Sequence, residues 1–402
     1  MSTLQGKCIV LGVTGGIAAY KTATLASSLT KAGADVHVVM TKNATEFLTP
    51  LTFESLTHNR CITDTFSREA PFEIDHVELA KAADAILVAP ATANVIAKMA
   101  HGIADDMLTT VLLAARCPKF VAPAMNTAML ENPVTQDNLE TLRHYGITVI
   151  EPASGRLACG DTGSGKMPEP ETLESYLWRE LACEKTYHGL RVTITAGPTQ
   201  ESLDPVRYLS NHSTGKMGYA IAQEAMLRGA DVTLISGPTA LDPVPFVSTV
   251  PVTTAEEMFQ AVQKALPETD VLIMSAAVAD YRPAEFSDEK IKKGEGDLSI
   301  PLSRTQDILS WVAEHRHPGL FVCGFSMETS DLVARSAQKR EKKSLDLIAA
   351  NSLKTEGAGF GVDTNVLTLI GADGTEELPL LSKRDAGGIL LDRILTLRGA
   401  KP

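Results

Sequence analysis

The chain has 402 residues, 44% hydrophobic and 21% charged, an ordinary globular composition that predicts about two to three domains. Its formal net charge of −12 is the wrong sign for wrapping nucleic acid or lying on anionic lipid, which favours small-molecule partners. The cysteines, Cys8, Cys61, Cys117, Cys159, Cys183 and Cys323, show neither metal-knuckle nor redox-motif spacing, and no apolar run approaches the ~20 residues of a membrane span.

In chain order, KCIVL at 7–11 is a short β-rich run followed by the glycine turn GVTGG at 12–16. That turn interrupts the stretch from Cys8 to Ala19, so the stretch reads as strand plus turn and not as a signal-peptide core. Free thiols then make the cytoplasm the expected location. A helical pattern follows to about Ala32, and GADVHVVMT at 33–41 is a second strand. Further strands are predicted at 84–89, 119–122 and 147–150, with a closing helix at 171–183. The segment EKTYHG at 184–189 is the expected linker. The second half repeats the opening order: RVTITAGPT at 191–199, a helix at 216–228, then GADVTLISG at 229–237. Strands at 270–275, 320–324 and 346–349 and a hairpin over 365–381 complete it. Short apolar runs alternating with helices predict an α/β protein with two Rossmann-like parallel-sheet domains, over 1–188 and 189–402. Ligands in such sheets bind beyond the carboxyl ends of the strands.

GVTGG opens a helix whose free N–H groups suit phosphate, but it is not the dinucleotide fingerprint. A NAD site also needs an acid ending the second strand. Here that strand ends Met40-Thr41-Lys42, and its counterpart ends Ser236-Gly237-Pro238. Thr41 suits a mononucleotide phosphate instead. The segment from Gly160 to Lys166 satisfies GxxxxGK, yet Met167, Pro168 and Pro170 follow in place of a hydroxyl and a helix, and no strand is expected before it. It reads as a loop carrying Cys159, flexible enough to close over a substrate.

His76 begins a helical segment, Asn126 follows a strand within PAMN, and Cys159 lies in ACGDTGSGKM. Singly these read as a capping histidine, a turn and an inert thiol. Taken with GVTGGIAAYK at 12–21 and APATANVIAKMAHGIADDML at 89–108, they resemble the flavin-containing cysteine decarboxylases across the whole first half. The resemblance implies a flavodoxin-like flavoprotein domain binding FMN through Gly15, Thr41, Thr92 and Asn94. It implies 4′-phosphopantothenoylcysteine as substrate. The flavin would oxidise the CH₂–SH group to a thioaldehyde, which is the electron sink for CO₂ loss, and would then return the electrons. His76 is implied as the base near the thiol, Asn126 as the holder of the carboxylate and Cys159 as the final proton donor. Family members place FMN between subunits of a trimer, so His76 is expected to reach a neighbour's flavin.

In the second half, ITAGPTQESLDPVRYLSNHSTGKMG at 194–218 and SAAVADYRP at 275–283 each follow a strand. DEKIKKGEGD at 288–297 reads as a solvated charge run or as a phosphate-facing lysine loop. With TQDIL, GFSMET and the lysines after them, the set resembles the phosphopantothenate–cysteine ligases. This implies a ligase domain that binds CTP with Mg²⁺, forms an acyl-cytidylate from 4′-phosphopantothenate, and passes the acyl group to the amine of cysteine. Asn211 matches the residue that steadies the acyl-cytidylate, and Lys290 the one facing the triphosphate. Ala276, Asp280, Gln306, Asp307, Ile308, Leu309, Phe325, Lys339 and Lys343 match nucleotide contacts. Ser326-Met327 stands where small residues are expected. Together the halves are similar to the bifunctional proteins of coenzyme A biosynthesis, with trimeric decarboxylase contacts and dimeric ligase contacts. Two alternatives stay open: a decarboxylase of peptide C-terminal cysteines, and a protein that binds flavin or nucleotide without turnover.

Overall fold

The computed structural model describes residues 4–65, 75–156, 160, 162–293, 298–328, 331–352, 359 and 361–399. The chain divides into two compact units, Met1–Glu184 and Lys185–Pro402. No helix among the described residues is long and apolar enough to cross a membrane.

The first unit runs β1 (Cys8–Val13), α1 (Ala19–Lys31), β2 (Asp35–Met40), α2 (Pro50–Thr57), α3 (Asp75–Ala82), β3 (Ala85–Ala91), α4 (Ala93–His101) and α5 (Met107–Ala114). It continues β4 (Lys119–Pro123), α6 (Thr127–Glu131), α7 (Pro133–His144), β5 (Thr148–Val149), β6 (Ala153–Arg156), β7 (Thr162–Lys166) and α8 (Pro170–Leu181). The parallel sheet has the order β2-β1-β3-β4-β5, the flavodoxin-like arrangement. β1 and β3 are buried along their whole length, which is why their sequences are continuous apolar runs instead of alternating ones. Ile9, Leu11 and Val13 pack on one face with α1 and α8, and Val10, Ile86 and Val88 on the other with α4 and α5. Asp106 and Thr109 close a capping box on α5, and Pro50, Pro133 and Pro170 sit in the first turns of their helices, where no intrahelical N–H is lost.

The segment read from sequence as a loop is partly structured. β6 and β7 pair antiparallel, so a strand does precede the GxxxxGK stretch, and Lys166 ends a strand instead of opening a helix. The rejection of a phosphate loop stands on that second ground.

The second unit runs β8 (Arg191–Ala196), β9 (Gln200–Ser202), β10 (Tyr208–Ser210), α9 (Lys216–Leu227), β11 (Asp231–Ser236), β12 (Ser248–Pro251), α10 (Ala255–Ala265), β13 (Val271–Met274), β14 (Tyr281–Pro283) and β15 (Leu302–Arg304). Then come α11 (Ile308–His315), β16 (Phe321–Glu328), α12 (Leu332–Lys342), β17 (Leu347–Ser352), β18 (Thr364–Asn365), β19 (Leu367–Gly371), β20 (Thr375–Glu377), β21 (Leu381–Ser382) and α13 (Lys383–Gly399). Its eight-stranded sheet has the order β12-β11-β8-β13-β16-β17-β19-β20. The first six are parallel, and counted in chain order they give 3-2-1-4-5-6, the Rossmann order. The hairpin β19–β20 adds an antiparallel edge. The expected linker is folded into this unit: Tyr187 is fully buried, its hydroxyl donates to the Leu391 carbonyl at 2.7 Å, and its N–H donates to the Arg228 carbonyl at 2.9 Å.

Candidate active sites

In the first unit, the loops after β1, β2 and β3 meet at the carboxyl edge of the sheet. Thr14 is fully buried and ties two of them together: its hydroxyl donates to the Pro90 carbonyl at 2.7 Å and accepts from the Thr92 N–H at 3.0 Å. Ala89–Pro90 is a cis peptide. A Cβ on Gly15 would lie 2.5 Å from Asn43 Cβ, so glycine lets the first loop pass against the second. The Thr41 N–H is held by the Val13 carbonyl at 3.0 Å, Thr92 caps α4, and Asn94 is exposed on the first turn of that helix. Gly15, Thr41, Thr92 and Asn94 therefore share the crevice edge at the β1/β3 switch point, where a doubly wound sheet binds its ligand.

Next to it opens a cleft of about 540 Å³, lined by Ile17, Tyr20, Lys21, Met125, Asn126 and Arg156 among others. The β6–β7 ribbon forms its far wall. The Met125 N–H donates to the Gly165 carbonyl at 3.1 Å, and the Thr127 hydroxyl to the Ser164 carbonyl at 2.8 Å. Asn126 caps α6 through Oδ1, which accepts from the Met129 N–H at 2.8 Å, so its amide nitrogen is the group left to meet a ligand. Lys21 is buried at the cleft floor, donating to the Met167 carbonyl at 3.3 Å and pairing with Glu169 at 2.9 Å. Cys159 falls in the segment joining β6 to β7 and lies outside the described residues. His76 is half-buried at the start of α3 and is not in the described lining of the cleft.

In the second unit two clefts, of about 550 and 270 Å³, share Ala276, Val278, Asp280, Phe325 and Lys339. Ala276, Asp280, Gln306, Asp307, Ile308, Leu309, Phe325, Lys339 and Lys343 all line the larger one. They converge because β13 and β16 end side by side and α11 begins beside them. Lys339 donates to the Phe325 carbonyl at 3.1 Å. Burial lowers its pKa, while Glu328 and Asp280 oppose the shift. Burial would raise the Asp307 carboxyl, but the Lys343 ammonium and the Ser310 N–H hold it below the usual carboxylate range. Asn211 is exposed, and its amide donates to the Ala277 carbonyl at 3.0 Å, beside Ala276.

Lys290 does not line either cleft in its described extent, yet its loop is no loose charge run. The Asp204 carboxylate accepts from the Ile291 N–H at 3.1 Å, Arg207 donates to the Ile291 carbonyl at 2.9 Å, and the Ser287 N–H donates to the Leu203 carbonyl at 3.1 Å. The loop is thus pinned to the β9–β10 turn. Residues 294–297 of the same stretch lie outside the described residues.

The flavoprotein family model matches residues 1–181, and the DNA/pantothenate metabolism flavoprotein C-terminal domain matches residues 187–397. The coenzyme A biosynthesis bifunctional protein CoaBC of Bacillus subtilis strain 168 is 46% identical over 398 residues, covering 98% of each chain. That of Escherichia coli strain K12 is 45% identical over 397 residues, again 98% of each. The chain belongs to this family of bifunctional coenzyme A biosynthesis proteins. Among solved structures, the C-terminal domain of a coenzyme A biosynthesis bifunctional protein CoaBC aligns at 39% identity with a TM-score of 0.47, covering 54% of this chain and all of that one.

Several residues to which the sequence assigned no individual role also line the clefts. Ser213 to Gly218, at the start of α9, line the smaller cleft of the second unit. So does Asn351, whose Oδ1 is buried without a hydrogen-bond partner. The signal for the first was present in the STGKMG turn. The Ser326-Met327 departure also has a physical account: Ser326 is buried and its hydroxyl pairs with that of Ser336 on α12 at 2.6 Å, while Met327 lines the smaller cleft.

Proposed function

We propose that the second unit joins 4′-phosphopantothenate to cysteine at the expense of CTP, and that the first unit decarboxylates the product with FMN to give 4′-phosphopantetheine. The observation that carries this reading is the convergence of nine nucleotide-contact candidates on one cleft of about 550 Å³ at the carboxyl edge of a Rossmann-ordered sheet. The volume suits a nucleotide-sized ligand.

In the ligase half, the substrate carboxylate attacks the α-phosphorus of CTP and pyrophosphate leaves. The amine of cysteine then attacks the acyl carbon and CMP leaves. Lys290, Lys339 and Lys343 supply positive charge for the polyphosphate, and burial of Lys339 makes its field stronger than a surface lysine's. Asn211, held by Ala277, presents a neutral amide group to the acyl-cytidylate. Mg²⁺ would accompany the triphosphate, bound chiefly by phosphate oxygens.

In the decarboxylase half, the chain fits a flavin mononucleotide. Gly15 lets the loops after β1 and β2 close on each other at the crevice, Thr41 and Thr92 offer hydroxyls there, and the adjoining cleft has apolar walls in Ile17, Tyr20 and Met125. Bound flavin would supply the oxidation that makes CO₂ loss possible and the reduction that follows it. Asn126 would orient the substrate carboxylate through its free amide nitrogen, and Cys159 would deliver the last proton. His76 would act from a neighbouring subunit of a homo-oligomer. Two observations support that: the described lining of the cleft lacks His76, and Ile17 and Tyr20 on the cleft wall are each 58% exposed.

The test is incubation with 4′-phosphopantothenate, cysteine, CTP and Mg²⁺. The reading expects 4′-phosphopantetheine, CMP, pyrophosphate and CO₂ in equal amounts. Absence of CMP formation from a flavin-loaded, folded protein would sink the ligase assignment.

A further inference from the structure

A second cluster lies at the opposite edge of the first unit, where the parallel strands begin. Cys8 and Asp35 are paired across β1 and β2, and His37 shares a face of β2 with Asp35 because strand residues two apart point the same way. One ligand atom from each of the three lies within 4.8 Å of the others, an arrangement no other group of such residues reaches among the described residues. We propose that Cys8, Asp35 and His37 bind a divalent cation of the zinc class, with water in the fourth position.

The donor chemistry fits. Thiolate, imidazole and carboxylate are the usual zinc ligands, and three protein ligands plus water is a common zinc arrangement. His37 Nε2 and Asp35 Oδ2 stand 3.1 Å apart. Two ligands at the ~2.0–2.2 Å bond lengths of a tetrahedral zinc stand about 3.3 Å from each other, so the pair needs little movement. Asp35 is also oriented from behind. Asn59 Nδ2 donates to Asp35 Oδ1 at 2.7 Å and to the Val36 carbonyl at 3.0 Å, the outer-shell support that metal-binding carboxylates ordinarily have. The Cys8 side is buried while Asp35 and His37 are partly exposed, giving a soft inner ligand and an entry path from solvent.

The surrounding field favours a cation. Asp84 accepts from the Cys8 N–H at 2.9 Å, so two carboxylates flank the sulfur, and Lys7 offsets only one of them, at 3.4 Å. On binding of a divalent ion the S–H proton passes to solvent and the thiolate is held by the metal. Because the cluster joins the starts of β1 and β2, the bound ion would clamp those strands, at the sheet edge away from the flavin crevice.

The flavin-loaded full chain would be titrated with Zn²⁺ alone against a chromophoric chelator, with zinc K-edge absorption of the complex. One equivalent should bind, with one sulfur at ~2.3 Å. His37→Ala, a change at a part-buried residue outside the hydrophobic core, should weaken binding by at least ~100-fold, and Asn59→Ala by ~10–100-fold while the sulfur signal remains. Cys8→Ser should remove the sulfur signal, and Cys183→Ser should change nothing. No stoichiometric uptake, or uptake indifferent to His37→Ala, overturns the site whatever the behaviour of Cys8→Ser.

Discussion

Gly165 and Met125 touch backbone to backbone: a Cβ on Gly165 would lie 2.2 Å from the Met125 carbonyl oxygen, and Gly165 holds φ of +119°. That contact is what sets the β6–β7 ribbon against the turn bearing Asn126. A Gly165→Ala side chain has no space and an unfavourable backbone conformation, which costs about 1–3 kcal/mol. The ribbon must move away. The expected result is loss of CO₂ release by on the order of 10²-fold, as for a misplaced reacting group, with CTP-dependent pyrophosphate release unchanged. Parallel loss of both activities would mean general unfolding and not displacement.

The Asp204 carboxylate pins the lysine loop. Its charge-assisted hydrogen bond from Arg207 holds its pKa well below the usual carboxylate range against the cost of burial, and the N–H groups of Val206, Ile291 and Arg207 add to that. A depressed carboxyl contributes stability that is complete above its unfolded value of ~3.9 and fades as pH falls below that. Acid loosening of the loop should therefore be absent at pH 5. Asp204→Asn should slow pyrophosphate release by on the order of tenfold at neutral pH, through lost charge-assisted bonds. Lys290→Gln should suppress the same step without cysteine present. If both variants form acyl-cytidylate at the parent rate, the loop lysines do not act on the triphosphate.

Lys339 carries the opposite sign. Burial lowers its pKa, so the fold binds its proton less well than the unfolded chain does, and stability contributed by this site rises as pH climbs toward the ordinary lysine value. Lys339→Met should raise the unfolding midpoint of the nucleotide-free protein, by on the order of 2–4 °C for ~1 kcal/mol in a domain of this size. It should also abolish pyrophosphate release. A lowered midpoint would show that the bond to the Phe325 carbonyl outweighs desolvation.

Tyr187 fixes where the chain can be cut. Its buried ring and its bond to Leu391 place it in the core of the second unit. A fragment of residues 185–402 should fold, whereas Tyr187→Ala within it should lose about 3–5 kcal/mol, as large aromatic truncations do. Denaturant titration reads this directly. Loss under 1 kcal/mol would mean that the segment is a simple linker.

The parts of the fold legible in sequence were those with two buried faces. CIVL and AILVA announce themselves because both sides of a central parallel strand must be apolar. The ribbons were not legible. Tyr208–Ser210, Tyr281–Pro283 and Ala153–Arg156 are short, largely exposed and polar or glycine-bearing, so no alternation marks them. Yet these ribbons bound the lysine loop and wall the cleft beside Asn126. The residues of the larger cleft in the second unit came from the ligase resemblance and not from periodicity; Ala276 follows β13, but Phe325 lies inside β16. His76, expected from the resemblance to act on a neighbouring subunit, is absent from the described lining of the cleft.

The most direct test supplies carboxyl-labelled cysteine with 4′-phosphopantothenate and Mg²⁺, and follows labelled CO₂ and pyrophosphate together, with and without CTP. The account predicts one CO₂ per pyrophosphate, none of either without CTP, and continued pyrophosphate with no CO₂ in Asn126→Ala. Labelled CO₂ released without CTP, or pyrophosphate release that stops along with CO₂ in folded, flavin-loaded Asn126→Ala, would contradict the division of labour between the two units.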